Sequence, residues 1–337
     1  MRIHRITPVI SSKLTSLSKT NVIKKLAYFV FIYLSTYNLS MALEDPWKVL
    51  LDAHFAAKTQ NYQGIYRYTH NSETRSVDIT HALHGSDEYT RMTLMDGTPG
   101  EVLSHGKNTT VYHSSEKNIH IKRRDSSNLF PAVIPDDIEN LKNVYNLHFG
   151  KADRIADRAA QIVVLIPKDK YRYRYHFWLD KKTSIPLKML VSDEQNKLVE
   201  EAAFVNVNFV DAHNDLSWFA PKIDLTKDYL MNEGSIDLPS QKFWKFSDLP
   251  DGFKKISAKA TRNNGITMLS HHLVFSDGLS YLSVFLQPVQ RDHKPKVGSI
   301  KMGSTNVCAK FTNGYQVMTV GAVPKKTCEM FTESISF

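Results

Sequence analysis

Tyr171-Arg172-Tyr173-Arg174-Tyr175-His176-Phe177-Trp178-Leu179-Asp180 is the stretch that decides the fold. Successive side chains leave a strand on opposite faces, so Tyr171, Tyr173, Tyr175, Phe177 and Leu179 share one face, and Arg172, Arg174, His176 and Trp178 the other. An aromatic face backed by a cationic one is the pattern of an antiparallel sheet packed on one side. The aromatic side either packs on helices or lines an apolar cavity. The cationic side is either solvated or meets an acidic or phosphate-bearing partner, and spacing does not choose between these.

Outward from this stretch the alternation continues. Short runs bounded by Gly, Asn, Asp and Ser predict antiparallel strands at 64–69, 76–83, 88–94, 110–113 and 118–122, then at 161–166, 171–179, 186–192 and 198–208. Two segments change period. Trp47, Leu50, Leu51, His54 and Phe55 recur at helical spacing behind Pro46, and Ile138, Leu141, Val144 and Tyr145 do so behind Pro135-Asp136-Asp137. The acidic pair suits a helix N-terminus, whose unpaired N–H groups favour negative charge.

Between about 210 and 240 the pattern decays into Asp, Asn, Ser and Pro, which reads as a linker. Beyond it, strands are expected at 268–276, 279–287, 306–312 and 315–323, with Asp277-Gly278 and Asn313-Gly314 as two-residue hairpin turns. A short helix follows Pro324, with Cys328, Phe331 and Ile335 on one face. A chain of 337 residues exceeds one compact core, and the expected division is 1–42, 43–212, a linker at 213–240, and 241–337.

Residues 1–42 read as a secretory signal: a basic start ending in Lys24-Lys25, an apolar run at 26–34, and Ser40-Met41-Ala42 at the cleavage site. The run is about half the roughly 20 residues a membrane-spanning helix requires. The formal charge of +9 is largely this segment's, since a chain beginning at Leu43 keeps only +3, too little to argue for nucleic acid. In an oxidising compartment Cys308 and Cys328 are candidates for a disulfide, with two buried free thiols as the alternative.

No catalytic constellation emerges. There is no Gly-x-Ser-x-Gly elbow, and neither cysteine sits in an activating motif. His81 and His84, and the adjacent His271-His272, lack a compact third metal ligand. Glu200-Glu201 point to opposite faces of a strand, a poor geometry for shared acid–base work. Neither a catalytic residue, a metal nor a cofactor is expected.

Several stretches together resemble the MucB/RseB family of periplasmic regulators: 47–68, Leu94-Met95-Asp96-Gly97 with Glu101-Val102, 150–158, 171–187, Phe275-Ser276-Asp277-Gly278-Leu279-Ser280 with Ser283-Val284-Phe285, and Val320-Gly321-Ala322-Val323-Pro324. The resemblance implies an α+β chain. Its first domain would be a curved antiparallel sheet, a half-barrel over helices similar to LolA and LolB, and its second a smaller α+β domain. It also implies a periplasmic protein that binds the periplasmic domain of a membrane anti-sigma factor, shields it from regulated proteolysis, and is released by mislocalised lipid or lipoprotein. Lipopolysaccharide or lipoprotein acyl chains are the implied ligands; a homo-oligomer is compatible with this reading. A lipid or lipoprotein carrier without a signalling partner is the other class considered. Strand parity selects Tyr66, Tyr68, Tyr173, Tyr175 and Phe177 as cavity candidates, and motif position selects Asp277, Gly278, Tyr281 and Phe285 as partner-binding candidates.

Overall fold

The computed structural model describes residues 45–337 apart from 115–118, 126–128, 212–214, 223–228, 233–243, 262–268 and 290–293. The signal-like segment 1–42 therefore lies outside the described residues, as does most of the expected linker.

The N-terminal part is a broad sheet with two helices. Helix α1 (Lys48–Thr59) is followed by β1 (Tyr62–His70), β2 (Glu73–His84), β3 (Asp87–Leu94), β4 (Gly100–His105), β5 (Asn108–Ser114) and β6 (Ile119–Asp125). Then come α2 (Ile138–Val144), β7 (Tyr145–Ile155), β8 (Arg158–Pro167), β9 (Arg174–Asp180), β10 (Pro186–Ser192), β11 (Leu198–Phe209) and β12 (Tyr229–Asn232). Their order is β12-β6-β5-β4-β3-β2-β1-β11-β10-β9-β8-β7, antiparallel throughout except where β12 runs parallel to β6. β7 and β12 are the ends of this open sheet, so no barrel closes.

Both helices sit on the apolar face. Leu50, Ala53 and Ala57 of α1, Leu141 of α2, and Ile79, Phe177 and Ala202 of the sheet are fully excluded from solvent in one core. Phe55, assigned to the buried stripe of α1 by spacing, is instead half exposed. Asp137 caps α2 as its position suggests, its carboxylate accepting from the Asn140 N–H at 3.1 Å.

The C-terminal part is a smaller sheet domain. Strands β13 (Lys245–Phe246), β14 (Lys254–Thr261), β15 (Ser270–Ser276), β16 (Tyr281–Pro288), β17 (Gly298–Met302), β18 (Thr305–Thr312) and β19 (Tyr315–Gly321) precede α3 (Lys325–Glu333) and β20 (Ile335–Ser336). The sheet order is β14-β15-β16-β19-β18-β17, with β13 and β20 paired separately. Val284, Leu286, Val317 and Phe331 form its core with Cys328. Cys308 on β18 and Cys328 on α3 are joined in a disulfide, 5.8 Å apart at Cα.

The Asn313-Gly314 turn takes the expected form, with φ of 48° and 80° and Thr312 paired to Tyr315. The other turn is longer than its dipeptide suggests. Ser276 pairs with Tyr281, so residues 277–280 form the loop, and the Asp277 carboxylate accepts from the N–H groups of Leu279 at 3.0 Å and Ser280 at 2.7 Å. A side chain that replaces backbone turn bonds permits the wider loop.

Candidate functional site

A cavity of about 300 Å³ lies on the inner face of β1–β5, closed by residues 129–133. Its size is at the lower end for small-molecule sites. Tyr66, Tyr68, Met92, Leu94, Val102 and Phe130 make it mainly apolar. Tyr66 packs on Phe130 with ring centroids 5.1 Å apart, and burial pushes its hydroxyl well above the ordinary phenol range. Glu200 also reaches the cavity. Burial raises its carboxyl above the usual range, opposed by the His70 ring and a hydrogen bond from Tyr68.

The aromatic face therefore divides. Tyr66 and Tyr68 line the cavity, whereas Tyr175 and Phe177 are core residues on β9, which β10 and β11 separate from β1. Tyr175 hydrogen-bonds Ser280 Oγ at 3.2 Å, a residue of the C-terminal domain. Tyr173 lines a different recess of about 500 Å³, with Asp193 and Glu194 on one side and Asn306, Lys325 and Lys326 on the other. On β9, Tyr175 meets the ring of Tyr145 on β7 with centroids 6.3 Å apart and Ser280 of the second domain rather than the cavity.

Arg172 departs further from its expected place on the cationic outer face. The chain bends at 171–172 and β9 begins only at Arg174, so the alternation does not govern it. Arg172 is 1% exposed and its Nε donates to Asp277 Oδ2 at 2.8 Å, Asp277 being fully buried. The guanidinium also contacts Asp169 and the Asp251 carbonyl, and lies over the Phe253 ring at 5.0 Å. Tyr145 donates to the same Asp277 oxygen at 3.3 Å, and Asn140 Nδ2 reaches the carbonyls of Gly252 at 3.0 Å and Asp277 at 2.8 Å. Burial pushes the Asp277 carboxyl up, while the Ser280 N–H and Arg172 act against it.

Asp277 and Gly278 thus occupy the contact between the two domains. Gly278, at φ +106°, faces Pro135 and Leu141, where an added Cβ would meet Pro135 at 3.1 Å. Asp277 is fully buried against the chain's own N-terminal domain, and Gly278 is half-buried beside it. Tyr281 is 40% exposed, and Phe285 is half-buried and stacked on His272 at 4.4 Å.

A second contact joins the domains near the cavity. Ser304, in the turn between β17 and β18, donates its N–H to Asn71 Oδ1 at 2.5 Å, and its hydroxyl lies 2.8 Å from that oxygen and 3.2 Å from the His70 ring. Part of the expected linker is also fixed. Arg91, buried in β3, bonds the Trp218 carbonyl, and Glu101 in β4 accepts from the Lys222 N–H at 2.8 Å, with Arg91 Nε 3.9 Å from Glu101. A charged residue at an inward position of a strand was the available signal for Arg91; Arg172 gave none, because its role depends on a residue 105 positions away.

Among the described residues no group of His, Cys, Asp and Glu is arranged to hold a metal ion, and no helix is long and apolar enough to cross a membrane. His81 is buried, stacked on Tyr62 at 4.7 Å with Nδ1 2.7 Å from the Gln60 carbonyl, a packing role.

Fold and site together define a two-domain protein with a ligand-sized apolar cavity in its larger domain and a buried polar contact to its smaller one. The chain belongs to the MucB/RseB family: the MucB/RseB N-terminal domain matches residues 45–224 and the MucB/RseB C-terminal domain residues 239–336. It is 26% identical over 291 residues to the sigma factor AlgU regulatory protein MucB of Pseudomonas aeruginosa, covering 83% of this chain and 87% of that one. It is 22% identical over 278 residues to the sigma-E factor regulatory protein RseB of Haemophilus influenzae, covering 82% and 86%. Among solved structures, the complex of P. aeruginosa MucA and MucB matches with a TM-score of 0.69 at 24% identity, covering 87% of this chain and 99% of that one, a likeness of fold. The relatives bear the names of regulators, and the family is periplasmic.

Proposed function

We propose that this chain is a periplasmic regulator that binds the periplasmic domain of a membrane anti-sigma factor, shields it from regulated proteolysis and so restrains the envelope-stress response, with mislocalised lipid or lipoprotein as the releasing signal. The observation that carries the reading is the presence of both family domains in order across nearly all of the described chain. The solved MucB relative with the same fold is in complex with MucA. Residues 1–42 would direct export and be removed, with domains at 43–212 and 241–337 joined through 213–240.

The apolar cavity supports a lipid-responsive role, with Tyr66 and Tyr68 as its contact residues. Each acyl CH₂ buried there would contribute about 0.8 kcal/mol. Of the partner-binding candidates, Tyr281 and Phe285 are accessible for contact and Asp277 and Gly278 act through the domain arrangement. The test is capture of the anti-sigma factor's periplasmic segment from the same genome by residues 43–337, repeated with an acylated ligand. Saturable capture that the ligand weakens is expected. Ligand binding without capture would overturn the regulator and leave a lipid carrier.

A further inference from the structure

β17 ends the sheet of the second domain, and the chain is exposed without a break from Lys294 through the strand to Gly303. Val297 is 75% exposed, Ile300 61% and Met302 55%. An apolar edge strand is a liability in a soluble protein, because its backbone invites pairing and its side chains invite association. Here the three apolar side chains are interleaved with Lys294, Lys296 and Lys301. The segment is also held in shape. Gln316 accepts from the Lys296 N–H at 2.6 Å and donates to the Lys296 carbonyl at 2.8 Å, and the Val289 N–H reaches the Gly314 carbonyl at 3.0 Å. Between this loop and Val307, Ala309 and Met318 lies a groove of about 630 Å³, with Lys294 and Lys296 in its wall.

The charge of the chain is divided to match. Residues 241–337 hold thirteen Lys and Arg against six Asp and Glu, a balance of +7, whereas residues 43–240 hold 24 against 28. The sequence has no Asp or Glu between His293 and Cys328. Lys301 lines a recess with Asp193 and Glu194 of the first domain, so the burden falls on Lys294 and Lys296, which line the groove instead. A basic segment with protruding apolar side chains suits an anionic lipid surface, where the ammonium groups meet phosphates and the apolar groups enter the boundary of the acyl layer.

We propose that β17 and the loop before it are a docking edge for an anionic phospholipid membrane: Val297, Ile300 and Met302 enter the interfacial layer while Lys294 and Lys296 meet lipid phosphates. Ile300 and Met302 share one face of the strand, and Gly298, at φ +115°, turns the chain between them and Val297. A second copy of the chain fits this edge less well, since pairing two β17 strands would set basic segments against each other. A peptide strand added to β17 would pair with its backbone and leave Val297, which precedes the strand, uncovered. The inference goes beyond the proposed function and stands apart from the cavity of the larger domain.

The test is co-sedimentation of the chain from Leu43, at low salt, with vesicles of phosphatidylcholine alone or with one part phosphatidylglycerol to three of phosphatidylcholine. Binding should favour the anionic vesicles and weaken as salt is added. Each lysine at the surface is worth about fivefold, so Lys294→Gln with Lys296→Gln should weaken partitioning about twentyfold. Ile300→Ser with Met302→Ser should weaken it about tenfold. Lys181→Gln with Lys182→Gln removes the same charge from an exposed turn of the first domain and should leave binding unchanged. Equal binding to the two vesicles, or equal loss from the two lysine pairs, would overturn the inference. Vesicle binding that survives both β17 variants would place the lipid elsewhere and overturn it as well. Self-association abolished by Ile300→Ser with Met302→Ser, without vesicle binding, would give the edge to a second copy. Capture of the anti-sigma factor segment is read without vesicles, so each of these failures leaves the proposed function standing.

Discussion

Two carboxylates differ in their surroundings, Asp277 fully buried at a contact between the two domains and Glu200 half-buried at the cavity. Asp277 is enclosed by the Arg172 guanidinium, the Tyr145 hydroxyl and the N–H groups of its own loop, so its oxygens are satisfied without solvent. Glu200 faces a cavity, where among the described residues Tyr68 and His70 favour its ionised form against burial. A complete set of partners makes a lock, because removing any one leaves a stranded buried charge.

Breaking the lock should have the largest effect. Asp277→Ala leaves Arg172 buried beside Asp169 with its main partner gone, and about 3–5 kcal/mol of stability should be lost in urea denaturation. The double variant Arg172→Met with Asp277→Leu should regain most of that, since well-packed apolar groups often replace a buried ion pair at little cost. A loss below about 1 kcal/mol for the single variant would mean that water reaches Arg172 and that the contact is not a lock.

Reduction of the disulfide ranks next. Cys308–Cys328 spans a sequence separation of 20 and holds α3 on its sheet, so Cys308→Ser with Cys328→Ser should cost about 3 kcal/mol, read as a lower urea midpoint. The effect should fall on the second domain first. Amides of β18 and β19 should lose exchange protection while those of β1 and β11 keep theirs. Arg91→Ala should cost less, about 1–3 kcal/mol, because Glu101 keeps the Lys222 N–H after its cation is removed. Its signature would be new proteolytic cutting near Trp218, whose carbonyl Arg91 holds.

Much of this arrangement was legible in the sequence, for a physical reason. Strands with one wet and one dry face alternate visibly, and β1, β2, β9, β10 and β11 were expected close to where they occur. Among the strands that escaped, β17 is exposed along its whole length and β7, at the end of its sheet, is mostly exposed after Tyr145, so both lack that contrast; β4, whose buried positions do not alternate, and β14 escaped as well. Tyr66 and Tyr68 line the cavity because it lies on the sheet's inward face, the side parity assigns them. Tyr173, Tyr175 and Phe177 share that side too, yet what covers each part of a sheet depends on strand order, which alternation does not carry. Arg172 was misplaced for the same reason, since its pairing with Asp277 across the domains is not visible from its own strand, where it reads as a surface charge.

The comparison of the two carboxylates is sharpened most finely by acidity. Burial raises the carboxyl of Glu200 in the folded chain above its ordinary 4.5. Between that value and the raised one the folded chain holds a proton that the unfolded chain has released, so stability falls as pH rises through this window. Glu200→Gln removes the titration. Denaturation of the two chains should give parallel curves below about pH 4, and above it the unmodified chain should decline relative to the variant until Glu200 is ionised in both states. Asp277 titrates in the same sense but is present in both chains, so the difference between them isolates Glu200. A pH profile identical in the two chains would mean that Glu200 is already as well satisfied as a carboxylate in water, and the difference between the two carboxylates would disappear.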